Sequence, residues 1–261
     1  MLRNIRAIVT ASGLMLFLSF YLAGCSQTNK STEFSNGSAS KLGETPDPFE
    51  KINRKLYRLN VGLDRVLLKP VAKAYKRVTP EVIDSGITNF FLNLEDVGSA
   101  VNNLLQLKVG NSLIDTERFI FNSTFGLAGI FDVATEMGME KHDEDFGQTL
   151  AHWGVKSGPY IMLPVFGPST LRDATAKFSV DRITDLTTYS DHGVPLFVVE
   201  NLDKRADLLS TEEAFEDISD DKYLALKDAW LQKRKYKIND GKTDEKSSSD
   251  LIDELESLDD E

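Results

Sequence analysis

The only cysteine of the 261-residue chain closes an N-terminal apolar run, and its thiol is the side chain most plainly placed for chemistry. Leu22-Ala23-Gly24-Cys25 reads as a lipobox. Arg3 and Arg6 give a basic start, Ala11 to Ala23 is an apolar stretch too short to span a bilayer, and small residues lead into the sulfur. The chemistry expected is cleavage before Cys25 and acylation of its thiol, so residues 1–24 form a lipoprotein signal peptide and Cys25 is the lipid anchor. Each buried methylene contributes about 0.8 kcal/mol, so one acyl chain holds marginally whereas several anchor permanently. Ser26 follows the cysteine. In lipoprotein sorting an Asp there signals retention in the inner membrane, so the expected destination is the outer membrane.

The other reactive side chains form no recognisable catalytic set. With a single cysteine, an intramolecular disulfide, a cysteine-based zinc site and a second thiol nucleophile are all excluded. His142-Asp143-Glu144-Asp145 has the composition of a metal cluster, but adjacent residues on one segment do not converge on one ion, and an exposed turn is expected. Gly154-Val155-Lys156-Ser157-Gly158 resembles a nucleophile elbow with its serine one position late. There is no P-loop, no G-x-G-x-x-G and no H-E-x-x-H. No catalytic residue, metal or cofactor is expected, and the protein is read as a non-enzyme. The rival reading is a lipid-anchored envelope enzyme, a phospholipase or a peptidoglycan hydrolase.

Charge and periodicity outline the elements around these residues. The chain carries a net −11, unevenly spread. From Asn239 to Glu261 ten acidic residues face two lysines, a composition that cannot bury enough apolar surface to order itself, although Leu251, Ile252, Leu255 and Leu258 could form a short helix on a partner. From Phe49 to Arg77 nine basic residues face two acidic ones. Residues 25–46 read as acylated cysteine and flexible tether, 47–238 as a helical domain and 239–261 as an acidic disordered tail.

Phe49, Ile52, Leu56, Leu59 and Leu63 recur at helical spacing, with Lys51, Arg54, Lys55 and Arg58 mostly off that face; Asp47-Pro48 supplies the start. The four cations are the candidate contacts for anionic lipid headgroups, since a lipid-anchored protein outside the cytoplasm meets no nucleic acid. Thr79-Pro80-Glu81 starts a second helical stretch, Ser210 with Glu213 makes a capping box, and Tyr223, Leu226 and Trp230 mark one side of a late helix. Tyr160 to Phe166 and Val194 to Val199 contain proline and are expected to be buried extended segments. Phe119 to Val133 is apolar almost all round, which suits burial or lipid contact. Gly126, Gly129 and Gly138 suggest a hinge or tight hairpin, and Phe125, Leu127, Ile130, Phe131, Val133 and Met137 are expected to line it.

Asp47-Pro48-Phe49-Glu50-Lys51-Ile52-Asn53-Arg54, with Phe146-Gly147-Gln148-Thr149-Leu150, Trp153-Gly154-Val155, Gly158-Pro159-Tyr160, Leu163-Pro164, Gly167 and Thr170-Leu171-Arg172-Asp173, resembles the MlaA/VacJ lipoproteins. The resemblance covers roughly residues 46 to 186 and loosens from 187 to 238. It implies an all-α fold: an interfacial ring of amphipathic helices in the outer membrane around an amphipathic channel, docked on a trimeric porin. It also implies a task in which no bond is made or broken: phospholipid that has strayed into the outer leaflet is passed to a periplasmic lipid-carrier protein and returned to the inner membrane. On that reading the lining residues named above form a channel wall and hairpin gate, and the Gly- and Pro-rich block 147–173 a rigid scaffold.

Overall fold

A computed structural model describes residues 45–210 and 220–242. The signal peptide, Cys25, most of the tether, Glu213 of the capping box and the acidic tail beyond Lys242 lie outside the described residues. Ten helices and one two-stranded ribbon are described: α1 Glu50–Leu63, α2 Lys69–Val78, α3 Glu81–Leu105, α4 Val109–Thr124, α5 Val133–Glu136, α6 Phe146–His152, β1 Tyr160–Leu163, β2 Gly167–Thr170, α7 Leu171–Ala176, α8 Arg182–Thr184, α9 Gly193–Asp207 and α10 Lys222–Ile238. The architecture is mostly helical, as expected. Two π-helical turns, Asp64–Leu68 and Lys177–Asp181, join α1 to α2 and α7 to α8.

The helices are polar inside and apolar outside. Asn93, Asp96, Ser99 and Asn103 of α3 face Ser112, Asp115, Arg118 and Asn122 of α4, two series with the same 3, 3, 4 spacing, and all eight are buried. Their pairing is explicit. Asn103 donates to Asp115 at 2.8 Å, Ser112 donates to the Ala100 carbonyl at 2.8 Å, and Asn93 donates to Ser123 at 3.0 Å. Arg118, 1% exposed, forks onto both Asp132 oxygens at 3.2 Å and donates to the Met139 carbonyl at 2.7 Å. A buried polar group left without a partner costs about 1–3 kcal/mol, so these bonds hold the interface together, although among the described residues Asn93 Oδ1 and Asn103 Oδ1 find no hydrogen-bond partner and Arg118 Nε meets Asp96 only as an ion pair at 3.5 Å.

The first helix is turned the other way from its apolar pattern. Asn53 is its buried residue, whereas Phe49, Ile52, Leu59 and Leu63 are exposed and only Leu56 packs inward, against Tyr160, Met162 and Tyr223. Asn53 donates to the Tyr160 carbonyl at 3.1 Å and accepts from the Met162 amide at 2.9 Å; seven residues on, Asn60 does the same with Leu163 and Val165. Two side-chain amides thus serve the free edge of β1 where a third strand would sit. Asp47 accepts from Asn53 at 2.7 Å and from the Tyr223 hydroxyl at 2.5 Å rather than capping, and the helix begins three residues later at Glu50.

Two other expectations are corrected. Tyr160–Leu163 is a strand, paired antiparallel with Gly167–Thr170 in the register Tyr160 with Thr170 and Leu163 with Gly167. Its proline lies in the turn, where no ladder bond is required. Val194 to Val199 lies in α9, because Pro195 falls in the first turn, where its missing N–H is not needed.

Candidate functional site

A cavity of about 640 Å³ opens among the C-terminal half of α3, the 143–145 segment, the β-ribbon, the 177–187 segment, α9 and α10. Its wall is mixed. Phe91, Leu94, Phe166, Phe178, Phe197 and Trp230 supply apolar surface, and carboxylates and cations from the helices and from the 143–145 and 177–187 segments supply charge. Sites of about 300–1,000 Å³ with apolar walls and a few placed polar groups suit small ligands, and this lining suits one that is itself amphipathic.

Most of the charges in the wall are already matched. Arg234 of α10 bridges Asp145, at 2.5 and 2.7 Å, and Asp173, at 2.9 and 3.1 Å. Burial pushes Asp145 up, but the guanidinium and the Gln148 amide outweigh it and hold the carboxyl below its ordinary value. Lys204 holds Glu95 and Glu200 at 2.7 Å each, and Lys237 holds Asp143 at 2.5 Å. Gly147 sits against this network: a Cβ there would overlap the Arg234 guanidinium and the Asp173 carboxylate, so glycine is the residue that lets α6 dock. Asp181 accepts from the Phe146 amide at 2.8 Å and, among the described residues, meets no cation directly; burial raises its pKa to about 6.

The His142–Asp145 segment is therefore neither a metal cluster nor a free turn. His142 Nδ1 meets Asp115 at 2.8 Å, Asp143 meets Lys237, Glu144 meets Lys108 at 3.1 Å, and Asp145 meets Arg234. Four neighbouring side chains go to four separate partners. Among the described residues no three His, Cys, Asp or Glu side chains are placed to hold a metal ion.

The hairpin exists but lies elsewhere. Leu127, Ala128 and Gly129 are all left-handed, which reverses the chain after α4, and a Cβ at Gly129 would come within 2.6 Å of Asn93. Phe125, Leu127, Ile130, Phe131 and Met137 are exposed on the outer surface, Val133 is half-buried, and none of the six lines the cavity. Asp132, in the same loop, anchors Arg118, Asn122 and Thr135. The residues expected to line a channel thus form an exposed loop pinned from inside by a carboxylate.

Of the four expected headgroup cations, Lys51, Lys55 and Arg58 are exposed. Arg54 is not free: it holds Asp221 through two bonds, at 2.8 and 3.0 Å, meets Glu50 at 2.7 Å and lies 4.6 Å from the Tyr223 ring centre. The residues that sequence reasoning missed are the polar interface of α3 and α4 and the 177–185 wall. The first had a readable signal, since its polar residues repeat at helical spacing.

The outer surface completes the geometry. Val66, Val78, Val82 and Leu107 are 76–83% exposed, and of the buried apolar residues more than half are alanines. A Val or Leu left in water forgoes about 1.5–3 kcal/mol, so such a surface is stable only against something apolar. Among the described residues no helix is long and apolar enough to cross a membrane.

Comparison with known proteins agrees with that geometry. The family described as MlaA lipoprotein matches residues 45–237. A protein of Haemophilus influenzae named intermembrane phospholipid transport system lipoprotein MlaA is 30% identical over 261 residues, covering 97% of this chain and 99% of its own. Its namesake in Escherichia coli K12 is 31% identical over 223 residues, 82% of this chain and 88% of that one. An uncharacterised protein of Rickettsia bellii is 35% identical over 208 residues, 78% and 82% of the two chains. A solved structure concerned with the maintenance of bacterial outer membrane lipid asymmetry superposes with a TM-score of 0.67 at 33% identity, covering 74% of this chain and 98% of that one.

Proposed function

The chain belongs to the MlaA lipoprotein family, and we propose that it removes mislocalised phospholipids from the outer leaflet of the outer membrane. It hands them to a periplasmic carrier protein for retrograde transport to the inner membrane. The lipid asymmetry of the outer membrane is thereby maintained. On this reading residues 1–24 are the cleaved signal, Cys25 carries the acyl anchor on the periplasmic face, 47–238 is the transport domain, and a trimeric porin is its membrane partner.

The observation that carries the proposal is the inverted polarity around an amphipathic cavity. Helices that expose Val, Leu and Phe and bury Asn, Asp and Arg are stable in a bilayer leaflet without spanning it. The 640 Å³ cavity offers a headgroup charged partners and its tails an aromatic wall. Passage through it requires no nucleophile and no proton transfer. What the residues supply is a path on which neither half of a phospholipid meets the wrong solvent.

The test is made in intact cells. Deleting the gene should raise surface-exposed phosphatidylethanolamine, read by an impermeant amine label, and sensitise cells to detergent and chelator. Wild-type protein should reverse both effects and Cys25→Ser should reverse neither. Unchanged surface labelling in the deletion strain would overturn the proposal.

A further inference from the structure

Among the described residues three cations of the cavity wall, Lys177, Arg182 and Lys233, depart from the pairing of their neighbours, and one of them stands over an aromatic ring. Lys204, Arg234 and Lys237 each hold at least one carboxylate at 2.9 Å or closer. Among the described residues, the Lys177 ammonium has no carboxylate within ion-pairing distance. It stands instead 4.9 Å from the centre of the Phe166 ring, which packs edge-on against Phe178 at 5.4 Å and lies 6.0 Å from Phe197. Arg182 and Lys233 line the same cavity, but among the described residues the cations that stand over a ring are Arg54 and, in this wall, Lys177. Enclosure by protein, with a smaller effect of Lys204, lowers the Lys177 pKa against the opposing pull of Asp181, Glu200 and Asp145, none of which touches it.

The backbone at this position is unusual too. Lys177–Asp181 is a π-helical turn between two α-helical segments, a widened geometry that is rare and recurs at functional sites. It brings Lys177, Phe178 and Asp181 together into the cavity wall.

We propose that Lys177 is the phosphate-anchoring residue of the cavity, pairing with the phosphodiester of a phospholipid while Phe166, Phe178 and Phe197 take the first methylenes of its acyl chains. The inference rests on reading the cavity as a phospholipid passage. The wall's carboxylates act on Lys177 only from beyond contact distance, so a phosphate can take the direct contact they leave open, and a charge-assisted bond in a partly dry site is stronger than one in water. The aromatic trio is continuous with the cation, which matches an amphiphile whose charge and tails are a few ångströms apart.

Full-length acylated protein, purified in a maltoside detergent, is loaded from vesicles containing phosphatidylethanolamine or from vesicles doped with diacylglycerol, which lacks the phosphate; bound lipid is quantified by mass spectrometry. Wild type should load both. K177M should lose about tenfold or more of its phosphatidylethanolamine affinity and keep its diacylglycerol loading, and K177R should retain both. Equal phosphatidylethanolamine loading by K177M and wild type overturns the assignment of Lys177 and leaves the transport function standing. Equal loss of both lipids in K177M makes the lysine a structural element and likewise overturns it. Failure of wild type to load either lipid would overturn the transport reading itself.

Discussion

Single side chains decide whether the polar interior is stable. Arg234 ties Asp145 to Asp173, and removing it leaves Asp145 without its guanidinium while Asp173 keeps Arg172 at 3.0 Å. Arg234→Met is expected to cost on the order of 3 kcal/mol, with Arg234→Lys recovering only part because an ammonium cannot fork onto two carboxylates. Thermal unfolding followed by circular dichroism reads both, and an unchanged midpoint would remove Arg234 from the framework. Asp145, held low, contributes stability present above the ordinary carboxylate pKa and lost as the pH falls below its folded value. Asp181 has the opposite sign: raised to about 6, it binds a proton more readily folded than unfolded, so stability declines as pH rises from about 4 to 6. Asp181→Asn, whose amide oxygen can still accept from Phe146, should abolish that decline and raise stability at pH 7.5 by about 1–2 kcal/mol. A steeper decline in the variant would contradict the assignment. None of these partnerships was legible locally, because Asp143, Glu144 and Asp145 find their cations 94, 36 and 89 positions away.

At the scale of elements, helical periodicity was legible and its direction was not. The spacing of Phe49, Ile52, Leu59 and Leu63 gives the helix correctly, but an apolar stripe does not say whether it faces a core, and here it is exposed. A sign was present in the same helix: Asn53 and Asn60, seven apart and beside the stripe, are of little use in water and serve the edge of β1 here. Lys51, Lys55 and Arg58 flank the exposed stripe. Reversing these three to Glu should weaken binding to anionic vesicles in a salt-sensitive manner, since screening acts on exposed charges, while the apolar face still inserts. Arg54→Glu belongs to another class, because it breaks the bond to Asp221 and should lower the unfolding midpoint. Vesicle co-sedimentation at low and high salt separates the two, and equal binding by the triple variant at low salt would mean that this face meets only solvent. The 125–131 hairpin was legible from its glycines, whereas its placement outside the cavity depended on Asp132 reaching Arg118, a contact no local pattern encodes.

For the whole molecule, the proposed function rests on exposed valines and leucines, buried asparagines and aspartates, and a charged aromatic-walled cavity, features that suit a leaflet as solvent and an amphiphile as guest. Sequence blocks point to the family, but the cavity comes from residues spread between Phe91 and Lys237, too dispersed for any motif to mark. The measurement that tests this most directly is lipid phosphorus per protein chain, after extraction in a detergent that contains no phosphate. An acylated cysteine carries no phosphorus, so any phosphorus reports a guest rather than the anchor. Roughly one phospholipid per chain, retained through detergent exchange, is the expected result for a cavity of this size and lining. Phosphorus that falls to zero on the first exchange would place all the lipid on the outer surface and contradict a phospholipid-holding interior.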